Sequence, residues 1–261
     1  MTARRALRAS AARPGAAGAE RAAEHLPRIY LEQRLGEGAG LEVADGAHHH
    51  LLHVLRMRAG GMVRVFNHLG DEFLCRVESV SRRASAIRCE SRLAPSAEPA
   101  LDVRLYLALC KSDYMDSAIR KATELGVSGI QPLVTSRSAP VRGAARLRHW
   151  RGIVIGACEQ SGRVALPELA EPVDLAALPP VAGDEPAFVL HPGADAIPDT
   201  VRARPRRAHL LVGPEGSLSD DEVRRAAEAG FRPTGLGPRI LRVATAVAAG
   251  VALLQYLYGD W

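Results

Sequence analysis

The stretch Leu210–Gln255, LLVGPEGSLSDDEVRRAAEAGFRPTGLGPRILRVATAVAAGVALLQ, restricts the fold more than any other part of the chain. Two turns marked by Gly and Pro, a polar helix and an almost wholly apolar helix follow one another with no long loop between them. The apolar helix, Thr245–Tyr258, is hydrophobic nearly all round, so it must be buried on most faces, in the core or against a second subunit. Its small residues Ala246, Ala248, Ala249 and Gly250 permit close helix approach. Turns that pair Gly with Pro are rigid and closely approachable, which suits a ligand held by backbone groups.

At 261 residues the chain has room for one large domain or two ordinary ones. Lys and Arg exceed Asp and Glu by 34 to 29, a mild basic excess that permits contact with RNA, DNA or anionic lipid without demanding it. Cys75, Cys89, Cys110 and Cys158 are widely spaced with no C-x-x-C pair. That argues against a zinc site or a disulfide framework and for a reducing cytosol, so a cytoplasmic location is expected. The longest apolar run, Val243–Leu254, is short of the roughly 18–20 residues that a membrane span needs. Residues 1–26, rich in Ala and Arg with little to bury, read as a disordered extension, with a transit peptide as the alternative.

A first unit is expected over 27–93. RIYLEQ offers a short strand, and Asp45 is placed to cap a helix whose stripe is Leu51, Leu52, Val54 and Leu55, ending at Gly60-Gly61. The histidines there include His49 and His53 at a four-residue spacing, but no Cys or carboxylate completes a metal site, so no metal is expected. Arg56 and Arg58 flank the helix end and suit phosphate contacts. Residues 62–93 alternate apolar and polar, the mark of a small antiparallel sheet or barrel. Residues 94–100, rich in Pro and Ala, read as a linker.

Over 101–261 the pattern becomes α/β. LDVRLYLALC, VSGIQPLV, PAFVL and HLLV read as strands; Ser112 or Asp113 caps the helix that stops at Gly126, and Arg146–Gln160 forms another helix that delivers Glu159 to Arg163 into a loop. Strands alternating with helices predict a mainly parallel sheet whose ligands sit beyond the strand C-terminal ends. Leu190–Gly193, Val212–Gly216 and Leu236–Arg239 are Gly-Pro turns that suit such a place, and Ser219 with Glu222 forms a capping box just after the second. A phosphate loop and a hydrolase are both disfavoured, since neither G-x-x-x-x-G-K-[ST] nor G-x-S-x-G occurs.

LVGPEGSLSDDEV followed by LGPRILRVATA resembles the RsmE family of 16S rRNA uracil-N3 methyltransferases, of the SPOUT class. HHHLLHVLRMRAGG, KSDYMDSAIRKATELGV, PLVTSRS and ACEQSGR extend the resemblance from about Pro27 to Asp260 in the family's order. It implies an N-terminal PUA-like β-barrel that grips RNA and a C-terminal α/β domain with a trefoil knot around S-adenosylmethionine, assembled as a homodimer through the SPOUT domain. The cofactor is then expected among Leu190, His191, Gly213, Glu215, Gly216, Leu236, Gly237, Ile240, Leu241 and Arg242. Target 16S rRNA, free or in the small ribosomal subunit, is expected at Arg28, Arg56, Arg58, Lys111, Arg137 and Arg163. Arg242 is the candidate to stabilise the uracil anion and Glu159 or a water the candidate base.

The chain departs from the family in reading Leu241-Arg242-Val243-Ala244-Thr245-Ala246 where the family has Glu at the position of Ala244. Two readings therefore stand: an active methyltransferase, or a catalytically impaired paralogue that binds ribosomal RNA as an assembly factor. Gly61 in place of a common Asp, and Ser217 in place of a second Gly, alter local turns only.

Overall fold

A computed structural model describes residues 25–94, 98–138, 144–197 and 205–261. The expected extension falls outside them up to residue 24, as do residues 95–97 of the expected linker. The chain divides into two compact units, the first ending at Ala94 and the second running from Pro95 to Trp261 with Asn67–Gly70.

The first unit is a five-stranded sheet in the order β1-β3-β4-β5-β2, built from β1 (Arg28–Tyr30), β2 (Gly40–Val43), β3 (Met62–Phe66), β4 (Glu72–Val80) and β5 (Ser85–Arg92). All its pairs are antiparallel except β1 with β3. Alternation puts Val63, Val65, Cys75, Val77, Ile87 and Cys89 into one core with Ile29 and Leu51. The helical segment differs from the expected stripe. A short helix, α1 (Asp45–His49), passes directly into a π-helical turn over His50–Val54, and the cap position belongs to Ala44 instead of Asp45. The Leu55 amide donates to His50 five residues back, at 2.9 Å. The wider turn shifts the buried face to His48 and Leu51 and leaves Val54 exposed.

The second unit carries an all-parallel sheet in the order β12-β10-β11-β6-β7-β8, with β9 also on β7. Its elements are β6 (Asp102–Ala108), α2 (Ser112–Glu124), β7 (Val127–Val134), α3 (Ala144–Ser161), β8 (Glu168–Leu169), β9 (Val173–Asp174), β10 (Ala187–Leu190), β11 (Arg207–Val212), α4 (Asp220–Glu228), β12 (Arg232–Thr234) and α5 (Val243–Tyr258). The four expected strands are β6, β7, β10 and β11; β12, with Pro233 in it, takes the sheet edge where a missing N–H is tolerated. Helix α2 buries Met115, Ala118, Ile119 and Ala122, the i, i+3, i+4, i+7 face of an amphipathic helix, each large side chain contributing about 1.5–3 kcal/mol.

Helix α5 packs against α2 and β11 through Val247, Gly250, Val251 and Leu254. A Cβ on Gly250 would stand 2.8 Å from Leu210 Cδ2, so the glycine sets how closely helix meets sheet. Burial is less complete than its composition predicts: Ala248, Ala249, Ala252 and Leu253 are half-buried and Tyr256 is 69% exposed. The helix α3, expected over Arg146–Gln160, runs from Ala144 to Ser161. Among the described residues no helix is long and apolar enough to cross a membrane.

Candidate functional site

Strand order places the site. β6 leads to β7 on one side, whereas β10 and β11 lie on the other, with β11 between β10 and β6. Ligands of open parallel sheets gather at such a reversal, beyond the strand C-terminal ends. A cavity of about 440 Å³, within the range of ligand pockets, lies there. Its walls come from the ends of β10 (Leu190, His191), β11 (Val212, Gly213) and β12 (Thr234, Leu236) and from the first turn of α5.

Of the residues expected at a cofactor, Leu190, His191, Gly213, Glu215, Leu236, Gly237, Ile240, Leu241 and Arg242 all line this cavity. Gly216 does not; its carbonyl accepts from Arg137 Nη1 at 2.6 Å. The turn Gly213–Gly216 is thus tied from both sides, because Glu215 Oε1 accepts the Lys111 amide at 3.0 Å. That carboxylate sits at the start of α2, whose cap position is Lys111 with no side-chain cap; Ser112 and Asp113 are its first helical residues. A carboxylate there satisfies an otherwise unpaired helical N–H and complements the helix dipole.

The capping box forms as expected, and does more. Ser219 and Glu222 bond reciprocally at the start of α4, while Glu222 Oε1 also accepts the Ser136 amide at 2.6 Å. Burial pushes the Glu222 carboxyl up, but hydrogen bonds from Ser136 and Ser219 outweigh it and hold its pKa below the ordinary carboxylate value. The turns after β7 and β11 are therefore pinned to one carboxylate. Ser217, which lines the cavity, holds φ 59 in the left-handed region that favours glycine. The third turn depends on Gly235, where a Cβ would stand 2.2 Å from the Ala194 carbonyl oxygen and the amide donates to Asp195 at 2.8 Å.

Charge at the cavity is mainly positive. Lys111, Arg239 and Arg242 are exposed wall residues, against Glu215 already engaged by a backbone amide. Arg242 Nη1 donates to Tyr114 Oη at 2.7 Å. Tyr114 was missed in the sequence, since the helical face of α2 is visible there but its cross-chain partner is not. Nearby Cys110 is no nucleophile at neutral pH: burial first, then the charges of Glu215 and Asp116, push its thiol up to about 12. The arrangement can hold a ligand on backbone groups and meet a developing negative charge with arginine.

Two expected residues are corrected, and a third lies off the cavity. Arg28 is 7% exposed, its Nε on Glu72 Oε1 at 2.9 Å and its guanidinium over Phe66, so the first strand's packing consumes it. Arg163 is 9% exposed and ties Glu98 to the carbonyls of Thr123 and Val127. Glu159 lies in the last turn of α3 and does not line the cavity. Arg56 and Arg58 are exposed beside a shallow hollow with Leu52, Met57 and Val80. Ala244, the departure from the family, sits half-buried in the first turn of α5 and is likewise no wall.

Comparison with known proteins decides the family. An RNA methyltransferase domain matches residues 97–255, and an RNA methyltransferase PUA domain matches residues 44–88. A ribosomal RNA small subunit methyltransferase E from Mycobacterium bovis is 30% identical, with 89% of this chain and 93% of that one covered. The chain belongs to this RNA methyltransferase family. Two solved structures reach further into the site. A methyltransferase from Legionella pneumophila, in complex with its bound cofactor SAM, superposes with TM-score 0.84 at 35% identity, covering 91% of this chain and 100% of that one. The ribosomal RNA small subunit methyltransferase E from Neisseria gonorrhoeae, bound to S-adenosyl methionine, gives 0.83 at 33%, with 91% and 100% covered. The fold class read from the sequence, an α/β methyltransferase domain with a PUA domain, stands.

Proposed function

We propose that this protein transfers the methyl group of S-adenosylmethionine to N3 of a uridine in small-subunit ribosomal RNA, with the donor in the cavity of the second unit. The observation that carries the reading is the cavity itself: three Gly-Pro turns close over parallel strand ends, in a chain similar over 91% of its length to structures holding this donor. The sulfonium methyl is already activated, so the protein's task is in-line placement and stabilisation of the deprotonated uracil. Arg242 serves the second need, and a water takes the proton in place of Glu159. Backbone groups of the three turns hold the adenosyl part, with Leu236, Ile240 and Leu241 as apolar walls.

RNA contact falls to exposed arginines. In the first unit Arg64, Arg76, Arg88 and Arg92 are held by carboxylates. Among the described residues Arg56 and Arg58 form no such ion pair, nor do Arg82 and Arg83 in the turn after β4. Phosphates suit that set. Lys111 and Arg137 are the corresponding groups beside the cavity. The working division is a PUA-like barrel over 27–93, a linker over 94–100 and a SPOUT domain with a trefoil knot over 101–261, acting in the cytoplasm. The incompletely buried apolar face of α5, with Ala249, Ala252 and Leu253 half-buried and Tyr256 exposed, supports a homodimer through the SPOUT domain; sedimentation at micromolar concentration tests it, and a stable monomer overturns it.

Ala244 does not line the cavity, which favours the enzyme reading over that of an assembly factor. Calorimetric titration of S-adenosylmethionine into the full chain tests the choice. Saturable binding at one site per chain is expected; RNA binding without donor binding overturns the enzyme reading.

A further inference from the structure

We propose that Tyr114 is a positioning residue that aims the Arg242 guanidinium at the reacting edge of the target base, an inference that rests on the uridine-N3 reading above. The two side chains reach the cavity from elements 128 residues apart, Tyr114 from the first turn of α2 and Arg242 from the cap position of α5. Arg242 Nη1 lies 2.7 Å from Tyr114 Oη, and the guanidinium carbon is 5.7 Å from the centroid of the phenol ring. Both line the cavity.

This arginine has a neutral partner at the cavity; Arg146, on the Ser112 hydroxyl at 2.7 Å, has one too but does not line the cavity. Arg104, Arg163 and Arg207 in the same unit are each held by carboxylates, at 2.8, 2.9 and 2.8 Å. Arg242 forms no ion pair among the described residues; a neutral hydroxyl holds it. A carboxylate would fix the guanidinium equally well but would cancel its charge. A phenol restrains a long, flexible side chain and leaves the whole positive charge free to act, with the remaining N–H donors unspent.

The reaction needs such a charge. The N3 proton of the uracil passes to water or hydroxide, and N3 keeps the electron pair. That pair forms the N–C bond to the methyl carbon while the S–C bond breaks and its pair returns to sulfur, converting the sulfonium to a thioether. Between these events the imide carries negative charge over N3 and its two flanking oxygens. A guanidinium fixed in advance at that edge stabilises the anion without reorganising, which is where preorganised electrostatics act most strongly. Holding Arg242 by Tyr114 lowers the pH at which N3 loses its proton in the complex.

The test compares wild type with Tyr114→Phe, which keeps the ring and removes only Oη. Small ribosomal subunits from a strain lacking the gene serve as acceptor, with labelled S-adenosylmethionine as donor. Absence of transfer by the wild type would overturn the function reading itself. With wild type active, Tyr114→Phe is expected to lower kcat at least tenfold near neutral pH, to move the rising limb of the pH–rate profile upward, and to leave donor Kd and subunit KM within twofold. A kcat within twofold of wild type overturns the proposal. So does a loss that resides in donor Kd or subunit KM while the pH profile stays in place.

Discussion

Glu215 reaches 104 residues back along the chain to accept the Lys111 amide at 3.0 Å, so the turn after β11 and the start of α2 are held as one piece at the cavity wall. The bond is charge-assisted and exposed, which makes it a local fastener and not a support of the whole domain. Replacing the carboxylate by Glu215→Gln is expected to weaken donor binding by about tenfold, equivalent to about 1.4 kcal/mol, while the melting temperature moves little. Calorimetry and thermal unfolding of the same preparation check it. An equal affinity in both proteins removes Glu215 from the site.

Glu222 sets an acid-side dependence of stability. Its folded-state pKa is depressed, so its contribution is fully present above the unfolded carboxylate value and is lost as pH falls through the lower folded value. Glu222→Gln is expected to destabilise the second unit by about 1–3 kcal/mol at neutral pH, since buried amides lose an ionised acceptor. The wild-type and variant stability curves then converge in acid. Urea unfolding across pH 3–7 gives the comparison, and parallel curves over that span would contradict the assignment.

Ser217 spends a left-handed conformation in a turn where glycine fits without cost. Ser217→Gly is therefore expected to stabilise by about 0.5–1 kcal/mol, or about 1–4 °C in melting temperature, with the cavity wall unchanged. A lower melting temperature would show that the Ser217 side chain contributes more than its backbone costs.

Gly235 makes the opposite prediction. An alanine there would place Cβ inside contact distance of the Ala194 carbonyl, backbone against backbone, so no side-chain rotation relieves it. Gly235→Ala is expected to cost about 3 kcal/mol or more and to abolish donor binding as the turns after β10 and β12 separate. Near-normal unfolding with intact donor binding would contradict this.

The cavity was legible in the sequence to the extent that backbone makes it. Gly-Pro turns at strand ends announce themselves by residue type, and Gly213, Leu236 and Gly237 lie in two of them. What stayed hidden were partners across the chain. Nothing in KSDYMDS says that Tyr114 meets an arginine near the other end, or that Lys111 at the cap position takes its carboxylate from Glu215. The same blindness explains the errors at Arg28 and Arg163: basic residues near motifs look available for phosphate, and only the fold reveals Glu72 and Glu98 beside them. The π-helical turn at His50–Val54 was unreadable for a different reason, since a 3.6-residue period assigns Val54 inward and only the widened turn sends it out.

The central claim is most directly tested by deleting the gene and analysing the nucleosides of the small-subunit ribosomal RNA, then restoring the gene as wild type or as Ala244→Glu. The account predicts that one 3-methyluridine disappears on deletion and returns with either version. An unchanged nucleoside profile on deletion, or a return with the glutamate version alone, would contradict it.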